Sequence, residues 1–473
     1  MRSETPKLLH PLCGRPMIGW PVAAAREAGA SQVVVVDNPH RRLESVLDGD
    51  VAIAIQEKPR GTADAVRAGA EGYAAGRTVV VINGDVPLIT AETIRALAES
   101  HEHSGAAATI ATAVLDDPTG YGRVVRAPDG TVERVVETKA PGDATELELH
   151  IREVNTGVFA FDGDALLAAL AEVRSDNAQG ELYLPDVLPV LRGHERSVGA
   201  FEISDHEQML GINDRVALAQ VAALAQARIQ ERLMLAGVTI VNPAATTIDI
   251  GVEIGHDTVI APYCCLHGAT SIGPGATIGP LSTLIDTRVG AEAAVLQSHL
   301  HGAEVGDRAN VGPFCYLRPG TVLSAGSKAG AFVEIKNSNI GEGAKVPHLS
   351  YIGDTNIGRR TNIGAGTITA NYDGKHKNRT EIGAHAFVSV DTMFVAPVSV
   401  GDGAYTAAGS VITHDVPPGA LGVARARQRN IEGYADRRKE RDAAERATPD
   451  GGNNVATGTE SGVGDPPESS PPG

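Results

Sequence analysis

Residues 271–280 read SIGPGATIGP, with Ile272 and Ile278 six positions apart and a glycine after each. The spacing returns at Val305-Gly306 to Val311-Gly312, Ile340-Gly341 to Val346, Ile357-Gly358 to Ile363-Gly364, Ile382-Gly383 to Val388, and Val400-Gly401 to Thr406. This is the pattern of a hexapeptide β-helix. Each hexad makes one short strand and a turn, the aliphatic side chain points into the prism, the small residue lets the chain turn, and three hexads close a coil. Residues 238–430 are therefore predicted to form an all-β, left-handed parallel β-helix. The repeat says much about fold and little about function.

Upstream, residues 213–237 are predicted to form one linker helix. Leu218, Val221, Leu224, Ile229 and Leu233 recur at steps of three to five, Asn213 is placed as N-cap and Gly237 as the stop. Such a helix would act as a rigid arm between domains. Over residues 1–212, runs such as VVVV at Val33 to Val36 and TVVVI at Thr78 to Ile82 alternate with Ala-rich segments. The alternation predicts an α/β domain with a largely parallel sheet, whose ligands bind beyond the carboxyl ends of strands. Asp85 falls there, in INGDVPLI, where a carboxylate can hold a metal ion; a turn aspartate would look the same. The stretch ATPDGGNNVATGTESGVGDPPESSPPG that closes the chain is Gly, Pro, Ser and acid, so residues 431–473 are expected to be a disordered tail.

With 473 residues and 42% hydrophobic content the chain can bury more than one core. A net charge of −17 argues against nucleic acid or an anionic membrane as partner. Cys13, Cys264, Cys265 and Cys315 have no metal-ligand spacing and read as packing residues of a reduced compartment. No apolar run reaches membrane-span length and no signal-peptide pattern opens the chain, so a cytoplasmic protein is expected.

The polar chemistry of the β-helix is concentrated in FCYLRPG, FVEIKN, HLSYIGD, NIGAGT and NYDGKHKNRT, between residues 314 and 380. Arg318, Lys336 and Lys377 supply cations that a phosphorylated substrate or a coenzyme phosphate would require. His348 is the strong general-base candidate, with Glu334 placed to orient its ring. A lone histidine is usually a turn residue; its setting among Arg318, Lys336, Tyr351, Asn362 and Asn371 favours a base. Prisms of this kind usually pack their flat faces about a threefold, so a homotrimer with clefts between subunits is expected.

DVPLI, DPTGYGRVV, VNTG, SDNAQGELYLPDV, RPGT, HLSYIGD and NIGAGTITANYDG, in this order and followed by hexads, resemble the bifunctional bacterial N-acetylglucosamine-1-phosphate uridylyltransferase/glucosamine-1-phosphate acetyltransferase family. The resemblance covers the chain from Met1 to about Asn430. It implies acetyl-CoA-dependent N-acetylation of glucosamine 1-phosphate in the β-helix. Uridylyl transfer from UTP in the α/β domain would then yield UDP-N-acetylglucosamine for cell-wall synthesis. By the resemblance His348 is the base, Arg318 and Lys336 grip the sugar phosphate, Tyr351 and Asn362 hold the sugar, and Lys377 lies near the acyl-transfer site. Ala365, Asn371, Tyr372, Val390, Ala408 and Arg425 line acetyl-CoA. In the other domain Gln56, Gly61 and Thr62 match the uracil segment, where Gly-Thr opens a helix and leaves backbone donors free. Asp85 and Asn213 would bind Mg²⁺, Gly122, Glu137 and Asn155 the sugar, and Lys7 the phosphates; Asn83 and Gly84 complete this nucleotide and sugar site.

Two departures from the family pattern stand out. The usual FVGSDT reads FVSVDT at residues 387–392. Val390 thus stands where a hydroxyl contacts the coenzyme, and Ser389 is one place early, on the opposite side of a strand. The opening MRSETPKLLHPLCGRPMIGW begins at what corresponds to the last Met of a family stretch L-A-A-G-x-G-T-R-M. The first strand and triphosphate-cradling loop are therefore expected to be missing, through a start assigned too late, with uridylyl transfer weakened and sheet backbone unpaired. Two other readings remain beside the bifunctional enzyme: an acetyltransferase with an inactive N-terminal domain, and a non-catalytic nucleotidyltransferase-like assembly subunit.

Overall fold

In the computed structural model, which describes residues 1–138, 143–174 and 180–447, the six-residue period becomes three parallel sheets. The first face has 11 strands from Thr239–Ile240 onward, the second 10 from Thr247–Ile248, and the third 9 from Glu253–Ile254. Most hexads send an aliphatic residue inward, and on the second face Ile248, Leu266, Leu284, Leu300, Leu317, Ile335 and Ile352 stack in register. All seven are at 0% exposure. Burying one such side chain stabilises by roughly 1.5–3 kcal/mol, and the stack repeats that gain at each coil. Glycine is not the only residue that turns the corners. Phe314, Phe332 and Leu349 adopt φ of 59°, 57° and 48° between the first and second faces, a conformation that bulky side chains seldom take.

The helix Arg215–Leu235 closes the open end of the prism. Gln226 acts as an extra strand there: its Nε2 donates to Ile248 O at 2.6 Å and its Oε1 accepts from Ile248 N at 2.9 Å. Ile229 and Leu233 join the β-helix core, while Val221 and Ala225 pack with Leu12, Met17 and Leu88 of the N-terminal half. The expected rigid arm is a strap packed on both sides. Its N-cap is Asp214, which accepts from Ala217 N at 2.8 Å, and not Asn213; the next residue has the same capping chemistry and a carboxylate that also favours the helix N-terminus. Gly237, at φ 94°, ends it as expected.

The N-terminal half contains β1 (Val34–Asp37), β2 (Ala52–Ile55), β3 (Thr78–Val81), β4 (Ala108–Val114), β5 (Arg123–Arg126), β6 (Val132–Val136), β7 (Glu153–Asp162) and β8 (Val198–Glu202). The sheet order is β8-β4-β7-β5-β6, with β3 on β7. It is mixed, contrary to the largely parallel sheet expected. β8 is parallel to β4, but the ten-residue β7 runs antiparallel to β3, β4 and β5. The β5–β6 hairpin reverses the chain before β7, which period-two patterning does not reveal. Among the described residues β1 pairs only with β2 and β3 only with β7. An apolar cavity of about 790 Å³ lies between them, lined in part by Val34, Val36, Val66, Val80, Ile82 and Ile94.

Cys264 and Cys315 are buried, with thiol pKa values pushed up by burial, as packing residues should be. Among the described residues, 425–447 belong to a unit separate from residues 1–424. Part of the stretch expected to be structureless, Tyr434–Ala447, is a helix. Its Ala, Arg, Glu and Lys are strong helix formers, and pairs such as Lys439–Asp436 at 3.8 Å and Arg441–Glu445 at 3.9 Å add support along one face. Residues 448–473 of that expectation, and residues 175–179 of the SDNAQGELYLPDV motif, lie outside the described residues.

Candidate functional site

One corner of the prism collects His348 and three of the six coenzyme candidates, Ala365, Val390 and Ala408. Lys345 pairs with Asn362, Asn362 with Phe387, and Phe387 with Tyr405 on the first face. His348, Ala365, Val390 and Ala408 each follow one of these four by three residues, so they stand in one column at the corner with the second face. His348, Val390 and Ala408 are exposed and Ala365 is half-buried. Successive coils are about 4.8 Å apart, so the column runs about 14 Å from histidine to Ala408. Gly364 is obligatory beside it: a Cβ there would lie 2.5 Å from Val390 N and Ser389 C.

The second face carries the polar cluster. Tyr316, Glu334 and Tyr351 are in register on successive strands. Glu334 accepts from Arg318 Nη1 at 3.0 Å, and this partner raises the pKa of the guanidinium, which also lies 5.9 Å from the Tyr316 ring centroid. Glu334 is therefore engaged with Arg318 and does not orient His348; no hydrogen bond to the His348 ring is made among the described residues. Gly353 pairs with Lys336, and the space of its missing side chain is filled by the Tyr351 hydroxyl and the Asn371 amide, 2.5 and 2.8 Å from where a Cβ would be.

Two ammonium groups meet at the far edge of this face. The neighbouring Lys377 lowers the pKa of Lys336, with desolvation adding to the effect and Asp354 opposing it. Asp354 is the residue that sequence reasoning quoted but did not assign. Burial raises its carboxyl pKa, yet hydrogen bonds from Asn337 and Asn371 and the charges of Lys336 and Lys377 together bring it below the usual value. Asn337 Nδ2 donates to it at 2.5 Å, and Asn371 donates to its other oxygen. Tyr372 is exposed, with its hydroxyl donating to Gly374 O at 2.7 Å. The structure thus brings Lys336, Lys377, Tyr351 and Asn371 together at one edge and His348, Ala365, Val390 and Ala408 at the other. Asn362 lies on the first face, and Arg425 belongs to the separate C-terminal unit.

In the N-terminal half three segments converge on a cation position. Lys7 Nζ donates to Asp85 Oδ2 at 2.5 Å and to Asn213 Oδ1 at 2.7 Å. The backbone fixes the meeting point, since Ile212 N donates to Asp85 O at 3.0 Å. Near it, Asn83 packs on Gly157, whose φ of 79° and lack of a side chain admit the Asn83 amide. Asn155 Oδ1 accepts from Gly157 N at 2.8 Å, Asn155 N donates to Gly122 O at 2.9 Å, and Gly122 lies beside the Glu137 carboxylate. The sugar candidates are therefore contiguous.

Gln56 Nε2 donates to Gly61 O at 3.1 Å and to Asp64 Oδ2 at 3.2 Å. Gly61 caps the helix Thr62–Ala70 at φ 116°, pressed against the Leu182 backbone. The helix does not keep all its first donors free: Ala63 N donates to Leu182 O at 2.9 Å, and the Thr62 hydroxyl accepts from Leu184 N.

A family described as MobA-like NTP transferase domain matches residues 1–182. Over nearly the whole length the chain is similar to proteins named "Bifunctional protein GlmU". Those of Streptomyces avermitilis and Streptomyces coelicolor are each 51% identical, covering 94% of this chain and 94% of the relative. That of Mycolicibacterium vanbaalenii is 50% identical over 94% of this chain and 92% of its own.

Proposed function

The chain belongs to the family of bifunctional GlmU proteins, and from that premise we propose how its residues divide the two reactions. The activity is bifunctional synthesis of UDP-N-acetylglucosamine, by an acetyltransferase half and a uridylyltransferase half. The relatives do not favour an assembly subunit or a chain with one activity.

For acetyl transfer, the observation that carries the assignment is the column His348, Ala365, Val390, Ala408. A long, flexible coenzyme arm can lie along it with the thioester at the histidine end. The neutral amine of glucosamine 1-phosphate attacks the acetyl carbonyl, a C–N bond forms and the C–S bond breaks. His348 takes the ammonium proton, and coenzyme A leaves as thiol. Lys336 and Lys377 hold the sugar phosphate with Arg318, since two adjacent ammonium groups on an acidic protein are best relieved by a dianion. Tyr351 and Asn362 orient the sugar, while Asn371 and Tyr372 complete the coenzyme site. Histidine and cation pair stand on opposite edges of one face. We therefore place each working site between chains of a homotrimer, with one chain's corner against the next chain's face.

For uridylyl transfer, the phosphate oxygen of N-acetylglucosamine 1-phosphate attacks the α-phosphorus of UTP and pyrophosphate leaves. Gln56 uses its amide nitrogen within the protein and offers its carbonyl oxygen to uracil, with Gly61 and Thr62 alongside. Asn83, Gly84, Gly122, Glu137 and Asn155 shape the sugar site. Asp85 and Asn213 fit Mg²⁺, because one carboxylate and one amide oxygen already converge on a cation, and magnesium favours few protein oxygens with phosphate and water completing its shell. The ion would neutralise charge developing on the leaving phosphates. Lys7 adds a second positive charge there.

The test is a two-stage assay on the purified chain. Thiol release from acetyl-CoA should require glucosamine 1-phosphate, and pyrophosphate release from UTP should require N-acetylglucosamine 1-phosphate and a divalent ion. His348→Ala should lose the first and keep the second. Loss of both, or of neither, would refute the division.

A further inference from the structure

Lys7 sits where the divalent cation has to sit. Its ammonium takes both oxygens assigned to magnesium, at 2.5 Å from Asp85 Oδ2 and 2.7 Å from Asn213 Oδ1. An ion at about 2.0–2.1 Å from each oxygen would overlap the ammonium and repel it. We propose that Lys7 and the divalent ion compete for Asp85 and Asn213. The lysine keeps the two oxygens converged until metal enters, and metal entry frees the ammonium for the triphosphate. The inference rests on the metal assignment above.

The supports of the two partners differ in a way that permits this exchange. The segments that carry the two oxygens are held by backbone: Ile212 N bonds Asp85 O, and Asp214, next to Asn213, caps the strap helix. Gly84 is pressed against Leu8 and Ile18, so the loop of Asp85 is packed against the turn Lys7–Leu9. The ammonium hangs on a four-carbon stem, and the Lys7 side chain is 33% exposed. It can swing away without moving the chain, whereas the segments that carry the oxygens stay packed in place.

Mn²⁺ titrated into the full chain without nucleotide, with free ion read by electron paramagnetic resonance, tests the competition. Lys7→Met and Lys7→Gln should each bind Mn²⁺ tighter than wild type by about twofold to fivefold, the worth of one partly exposed ion pair. Lys7→Arg, which keeps the charge, should bind no tighter than wild type. Asp85→Asn should lose the site. With UTP present the order should reverse, Lys7→Met holding Mn²⁺ and nucleotide more weakly because the phosphates lose a cation. If the uncharged variants bind Mn²⁺ no better than wild type while Asp85→Asn loses it, the metal assignment stands and the competition is overturned. If Asp85→Asn binds as wild type does, the metal assignment fails and takes the competition with it.

Discussion

His348 and Val390 occupy equivalent places on coils one step apart from Ala365, yet they pose opposite questions. His348 is exposed, and none of the described residues bonds its ring, so its contribution is proton transfer and not grip. His348→Ala should slow acetyl transfer by about a hundredfold to ten-thousandfold and leave acetyl-CoA binding nearly unchanged by calorimetry. Turnover retained in that variant would move the base elsewhere. Val390 is 48% exposed between Ala365 and Ala408, with an apolar side chain where a hydroxyl was expected. Val390→Ser should lower the KM for acetyl-CoA or raise kcat; no change in either would mean that Ser389 or water already supplies the contact. Motif spacing made the identities of these residues legible. It could not show that Glu334 turns to Arg318, because an ion pair between strands depends on lateral register, which the chain order does not display.

The strands of the second face show what one polar side chain does inside an apolar stack. Thr369 follows Ile352 in the inward column and precedes Phe394, at 0% exposure. Its hydroxyl accepts from Gly353 N at 2.7 Å, supplying a partner where the ladder between Tyr351–Gly353 and Ile368–Ala370 is irregular. Thr369→Val preserves shape and removes that partner. It should cost about 1–3 kcal/mol by chemical denaturation, the penalty of a buried unsatisfied N–H. It should also raise the KM for glucosamine 1-phosphate, because Gly353 lies between Lys336 and Tyr351. A melt and KM equal to wild type would show the hydroxyl to be dispensable. Elements were legible here to the extent that their period was repeated. The hexads gave every face, whereas the antiparallel run of Glu153–Asp162 escaped because strand direction is set by pairing partners. The terminal helix Tyr434–Ala447 escaped because the composition of the whole tail was averaged over it.

At the scale of the molecule, the corner that bears His348 also bears an apolar edge. Tyr263 and Leu281, then after Gln297 the run Phe314, Phe332 and Leu349, climb it at 60%, 58%, 53%, 58% and 63% exposure. Phe314 and Phe332 stack with ring centroids 5.1 Å apart. Each phenylalanine occupies a backbone conformation that a bulky residue avoids, and an exposed apolar run such as Phe314, Phe332 and Leu349 marks an interaction surface. Under the proposed homotrimer another copy of the chain would cover this edge, because a threefold would bring each corner to a neighbouring face. Sedimentation of the full chain should therefore give three copies. Phe332→Asp should shift the mass toward one copy and lose acetyl transfer, with uridylyl transfer retained, since the proposed N-terminal site draws its residues from one chain. A wild-type monomer that acetylates glucosamine 1-phosphate at full rate would refute the shared site. A Phe332→Asp trimer with full activity would place the interface on another edge.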